Sequence, residues 1–365
     1  MKPEFLFLLD GIRYEALQVL EERLGGEEVL LARRLLQNLP AGQVVVRRLR
    51  SPAPFERRQR LSDEVRLAFL LHHPAIAQVH HCTVHRGSPH VIMEHVEGPT
   101  LETVVTWMAM RDRPVSPAFA LYVGVEIADA LHYAHGLKDS QGAPLGIIHR
   151  DVSPRNIALD GSGAVKLMHF GAAYSLMIGR EASPELLLKG DVAYSSPEYF
   201  WGEPLSPAAD VFSLGQVLLE LLTGRHLFHL AEEAQAMPLA PAPRPRAPRP
   251  EQLPSLPFEM MGVLFESFGP EDVERVVADL PAPLKALLHK ALRKVPGERY
   301  ASAAELRDAL RAELARLPAP YGRKEAMEEL GQLLAEVSPL SDKLELPHGD
   351  NTGWQTAGSE RTTET

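Results

Sequence analysis

The spacing of apolar residues changes character at Gly98, and this change sets the fold class. Between residues 14 and 50 they come in short runs, 29–32 and 44–46, separated by Gly25-Gly26 and by Pro40-Ala41-Gly42, which reads as strands joined by turns. Residues 55–72 have helical spacing, with Val65, Phe69 and Leu70 on one face and Pro74 closing the segment. Strand patterns return near residues 78–81 and 91–94. Beyond Gly98 the segments 117–137, 208–222, 282–294 and 302–317 run amphipathic or buried for several turns. An α+β chain with two lobes is expected: a small β-rich lobe with one helix (14–95) and a large helical lobe (96–318). An N-terminal extension (1–13) precedes them, and 319–365 follow as a short helix near 324–337 and a polar tail.

The 365 residues are 45% apolar, enough for substantial cores in both lobes. The formal charge of −10 gives no general attraction to nucleic acid or to anionic membranes, so neither is expected as a partner. Cys82 is the only cysteine, which rules out an intrachain disulfide and a cysteine-based zinc cluster. The apolar stretch at residues 5–9 is far shorter than a membrane span and lacks a signal-peptide cleavage pattern, so the expected location is the cytoplasm. Between residues 237 and 257 eight prolines are interspersed with arginines, which reads as an exposed insert, either a linker or a polyproline ligand.

An apolar run at 145–148 leads into His149-Arg150-Asp151-Val152-Ser153-Pro154-Arg155-Asn156. Thirteen residues past Asn156 stands His169-Phe170-Gly171, then Ser196-Pro197-Glu198, then Asp210-Val211-Phe212-Ser213-Leu214-Gly215, and finally Pro296-Gly297-Glu298-Arg299-Tyr300. Upstream, Glu64 precedes His73-Pro74, and Met93-Glu94-His95-Val96 follows a strand pattern. In order and spacing this set resembles the eukaryotic-type (Hanks-type) Ser/Thr protein kinases of bacteria, over about residues 14–317.

That resemblance implies the two-lobe kinase fold, with Glu64 on the αC helix and ATP and Mg²⁺ as the family's cofactors. It makes Asp151 the residue that takes the substrate hydroxyl's proton, and Asn156 a ligand of the metal on the phosphates. It makes His149, Arg150, Phe170, Gly171, Glu198, Asp210 and Arg299 structural, with Asp210 bracing the catalytic loop and Arg299 pairing with Glu198. Val29, Val45, Ala158 and the hinge residues Glu94 and Val96 would line the adenine slot, Val45 and Ala158 standing where Ala and Leu are usual.

Three functional features depart from the pattern: the strand lysine, the loop glycines and the metal-binding Asp. The phosphate-gripping lysine of the third strand is Arg47, whose planar fork is a poor replacement for a compact ammonium but could pair with Glu64. No lysine occurs between Pro3 and Gly98 to take its place. The glycine positions of the phosphate-covering loop fall on Glu22, Leu24 and Glu27, and Glu27 would set a negative charge near a polyanion. The metal-binding Asp is His169, and imidazole suits softer metals than Mg²⁺. A packing or hydrogen-bonding role fits His169 better than a zinc ligand. Losing one preorganised charge-stabilising group typically costs about 10²–10³ in rate, so turnover in the family's ordinary range is not expected. Ser153 stands where the family usually has a lysine, a position that tolerates change.

Two functional readings follow. The first is a pseudokinase with weak or absent ATP and Mg²⁺ binding, acting as a signalling scaffold or regulator of protein partners such as an active kinase. The second is a weak Ser/Thr kinase that uses Asp151 as base. Ser175, Ser183, Ser195 and Ser196 are candidate phosphate carriers. The tail threonines around Trp354 are candidate docking sites for a phosphothreonine reader.

Overall fold

The computed structural model describes residues 3–23, 26–49, 55–170, 173–176, 191–228 and 258–344. The proline- and arginine-rich insert, the threonine-rich tail, Gly171 and Ser183 lie outside the described residues.

The small lobe is a six-stranded antiparallel sheet built from β1 (Glu4–Leu9), β2 (Ile12–Arg23), β3 (Glu27–Leu36), β4 (Leu39–Leu49), β5 (Val79–His85) and β6 (Ser88–Glu94). Its strand order is β1-β2-β3-β4-β6-β5. Three of its hairpins turn in two residues that both take positive φ: Asp10-Gly11, Gln37-Asn38 and Arg86-Gly87. Such turns match the right-handed twist of the flanking strands and so fix their register. The extension that precedes the expected small lobe thus supplies β1 and the start of β2.

Pro40-Ala41-Gly42, read from the sequence as a separator, lies inside β4 instead. There β4 pairs only with β3, since its ladder to β6 begins at Val44, so the proline costs no hydrogen bond on the other side. The sheet curls until its first strand packs over its far end: Phe7 stacks on Tyr14 at 4.8 Å and meets His90 edge-on at 5.0 Å. Leu6, Phe7, Leu30, Val44, Val46 and Ile92 fill the interior of that curl. Helix α1 (Phe55–Ala68) packs through Leu61 and Val65 against Leu49 and Val91.

The large lobe carries α2 (Leu101–Arg111), α3 (Pro117–Gly136), α4 (Pro197–Phe200), α5 (Ala208–Thr223), α6 (Phe258–Ser267), α7 (Pro270–Val277), α8 (Ala282–Ala291), α9 (Ala303–Ala315) and α10 (Arg323–Leu344). A short hairpin, β7 (Ile157–Leu159) with β8 (Val165–Leu167), lies at the lobe boundary. Helix α3 starts where Ser116 Oγ accepts from the Phe119 N–H and Pro117 takes the first helical position. Helix α5 is buried from Ala209 to Leu222, as its nearly unbroken apolar sequence requires.

The C-terminal helix is longer than its sequence pattern suggested. Ala326, Leu330, Leu333 and Val337 form a buried stripe, and Glu336 pairs with Arg111 and Arg113 at the end of α2. Glu329 accepts from both the backbone N–H and the hydroxyl of Ser116. No helix among the described residues is long and apolar enough to cross a membrane.

Candidate active site

The site is assembled on the loop between α3 and β7. Asp210, fully buried on α5, accepts from the backbone N–H groups of His149 at 2.8 Å and Arg150 at 2.9 Å, and from His135 Nε2 at 2.8 Å. Burial pushes this carboxyl up, but the hydrogen bonds and charge of His135 outweigh it and hold Asp210 below the usual range. His149 donates from Nε2 to the Met168 carbonyl, leaving Nδ1 to accept from the Asp151 N–H at 3.2 Å. Its ring is buried edge-on against Phe170, and burial lowers its pKa. These bonds tie the loop to the segment that carries His169.

Asn156 ends a single 3₁₀ turn and donates from Nδ2 to the Asp151 carbonyl at 2.8 Å. That bond fixes the amide's orientation, so Oδ1 faces His169 and must accept from Nδ1–H, at 3.0 Å. His169 takes φ +61°, a left-handed conformation that histidine adopts more readily than most residues. The Asp151 carboxylate accepts from the backbone N–H of Asp191 at 3.0 Å. Burial raises the pKa of Asp191, and the charge of Asp151 adds to it against the pull of Ala193 N–H and Arg155.

On the phosphate side, Arg47 is held twice. Its Nε donates to Glu27 and its Nη1 pairs with Glu64 at 2.7 Å. Arg150, at φ +66°, directs its guanidinium toward the rings of Tyr174 and Tyr199, and burial lowers its pKa. Arg299 satisfies all five of its N–H groups, giving two to Glu198, at 2.6 and 2.7 Å, and the others to the carbonyls of Ala208, Arg293 and Lys294.

Val29 and Ala158 are buried on opposite sides of the lobe boundary, and Val45 pairs in register with Met93. The Glu94 side chain turns away to Lys166 Nζ at 2.8 Å and to the Gln78 N–H. Behind Val96 the chain passes so close to β7 that a Cβ on Gly98 would sit 1.9 Å from the Leu159 carbonyl oxygen. Three of the candidate phosphate carriers, Ser175, Ser195 and Ser196, are enclosed rather than presented to solvent. Ser175 donates to the Leu145 carbonyl and Ser195 to that of Asp191, so the fold uses them to pin the segment.

The sequence reading missed one pairing, that of Glu27 with Arg47, and two participants, Lys166 and Asp191. Glu27 is diagonal to Arg47 across the β3–β4 ladder, where Glu28 also faces Arg48, so Glu-Glu opposite Arg-Arg was the available signal. Lys166 comes from the large lobe and Asp191 from 40 residues past Asp151, and neither carries a local signal.

A sequence model described as the protein kinase domain matches residues 34–310. The chain belongs to the protein kinase family. Its curated relatives include the serine/threonine-protein kinase PknB of Mycolicibacterium smegmatis, 33% identical over 81% of this chain and 42% of that protein. PknB of Mycobacterium tuberculosis is 31% identical over the same shares. The tyrosine-protein kinase MasK of Myxococcus xanthus is 32% identical over 58% of this chain and 32% of that protein. This kinase-family chain therefore spans less than half the length of these relatives.

The Mg²⁺ site that the family implies does not fit these residues. Mg²⁺ requires oxygen ligands. Here one position offers an imidazole and the other an amide oxygen already engaged by that imidazole. Among the described residues no group of three or more His, Cys, Asp or Glu side chains could hold a metal ion.

Proposed function

We propose that this chain is a pseudokinase: a kinase scaffold that regulates a protein partner by binding it rather than by transferring phosphate. The hydrogen bond from His169 Nδ1 to Asn156 Oδ1 carries the reading, because one bond occupies both positions from which the family holds its metal. The pairing of Arg47 with two carboxylates supports it from the phosphate side. The bracing of the loop by Asp210 and of Glu198 by Arg299 is intact, so the scaffold keeps its shape without chemistry. The partner class is a second protein, with an active kinase as the first candidate and a phosphothreonine reader on the tail as another.

Phosphotransfer to a general protein acceptor, with Mg²⁺ or Mn²⁺ and ATP, tests this. Wild-type protein is expected to give no more signal than Asp151→Asn. Transfer at ordinary kinase rates that disappears in Asp151→Asn would sink the proposal.

One observation favours the second reading, a weak Ser/Thr kinase. Asp151 keeps its carboxylate on the loop held by Asp210, where it could accept a hydroxyl proton. Under that reading His169→Asp, which returns an oxygen ligand, should raise a low but Asp151-dependent activity by at least about tenfold.

A further inference from the structure

Glu27 is the first residue of β3, directly after Gly26 at φ +80°. Its carboxylate meets Arg47 Nε while Glu64, from α1, meets Nη1 of the same guanidinium at 2.7 Å. The three side chains are only 14%, 14% and 16% exposed, so little water screens them. Burial alone would lower the pKa of Arg47, yet Glu64 and Glu27 together raise it.

The neighbouring pair fixes this arrangement. Glu28 and Arg48, directly opposite each other in the ladder, bond at 2.7 Å, and the Glu28 side chain is almost entirely enclosed. The strand is pinned in register, and Glu27 with it. Among the described residues the Arg47 guanidinium thus meets two carboxylates, those of Glu27 and Glu64. A phosphate approaching Arg47 would find the Nε side of the fork taken and a carboxylate at short range.

We infer that Glu27 is a built-in substitute for a ligand phosphate: it occupies Arg47, couples β3 to α1 through Glu64 without a nucleotide, and excludes phosphate-bearing molecules from the site. This deepens the pseudokinase reading and rests on it for the absence of a productive metal–nucleotide complex. The two carboxylates are not equivalent. Glu64 belongs to the helix, and only Glu27 lies on the strand next to the phosphate-covering turn.

The test is metal-free binding of pyrophosphate, ADP and adenosine to the full chain, by calorimetry or thermal shift. Wild-type protein is expected to bind pyrophosphate and ADP no better than at millimolar strength. Glu27→Gln, which keeps the shape and removes the charge, is expected to bind both at least about tenfold more tightly. Glu64→Gln, which leaves Glu27 on Arg47, is expected to show no such gain. Should Gln pack poorly at position 27, Glu27→Gly removes the same charge and repeats the measurement.

The inference is overturned if neither Glu27 variant gains affinity, if Glu64→Gln gains as much, or if wild-type protein binds ADP as tightly as adenosine. Binding and phosphotransfer are read separately. A missing gain removes the phosphate-substitute role and leaves the pseudokinase reading standing, whereas transfer by wild-type protein removes the pseudokinase reading without touching the binding result.

Discussion

Replacing Arg299 by methionine should expose how much of the large lobe hangs on one guanidinium. Arg299 and Glu198 are 0% and 3% exposed, and their two parallel hydrogen bonds join α4 to the turn that precedes α9. Methionine fills the volume but strands a buried carboxylate and removes the donors that serve the carbonyls of Ala208, Arg293 and Lys294. Breaking a buried pair from one side costs about 3–5 kcal/mol. At roughly 2–4 °C per kcal/mol for a domain of this size, the melting temperature should fall by roughly 6–20 °C. Melting followed by circular dichroism measures this. Combining Arg299→Met with Glu198→Gln removes the stranded charge, so the double variant should recover at least about 2 kcal/mol relative to the sum of the single changes. Arg299→Met melting within about 1 kcal/mol of wild type, or strict additivity in the double variant, would refute the reasoning.

Glu220 is buried beside Tyr194, and burial pushes its pKa from 4.5 to about 7, with Asp191 and Glu102 adding to the rise. The folded state therefore holds this proton more tightly than the unfolded chain. Its contribution is fully present below about pH 4.5 and is lost as pH climbs to about 7. Melting curves from pH 5 to 8 should show wild-type protein losing up to roughly 3 kcal/mol relative to Glu220→Gln, and parallel curves would contradict the assignment. Leu333→Ala, deleting a fully buried side chain of α10, should cost about 2–5 kcal/mol in chemical denaturation, and an unchanged midpoint would mean that α10 is not part of the core. Gly98→Ala should destabilise by at least about 2 kcal/mol, because its methyl group would meet backbone at 1.9 Å rather than a side chain able to move. Wild-type stability in that variant would show that the chain behind the hinge can shift.

The loop from His149 to Asn156 was legible because its residues act on one another locally: a 3₁₀ turn and two side-chain bonds to nearby backbone arrange it. The change of periodicity at Gly98 separated the lobes for a similar reason, since strand and helix spacings are local properties. Boundaries were less legible. Pro40 marks a turn by composition but sits in β4, because whether a strand has a neighbour on its second side is decided far away in the chain. Helix α10 outran its pattern because its stripe is defined by packing on α2, more than 200 residues earlier in the chain.

The sequence alone determined that the metal-binding aspartate is a histidine, that the phosphate-gripping lysine is an arginine, and that a glutamate stands where the covering loop wants glycine. Only the tertiary structure decided what these three do. His169 closes on Asn156, and Glu27 closes with Glu64 on Arg47. The physical reason is that a lost ligand is a matter of residue type, readable one position at a time. Whether the groups left behind stay open or satisfy each other depends on distances of about three ångströms between segments that only folding brings together.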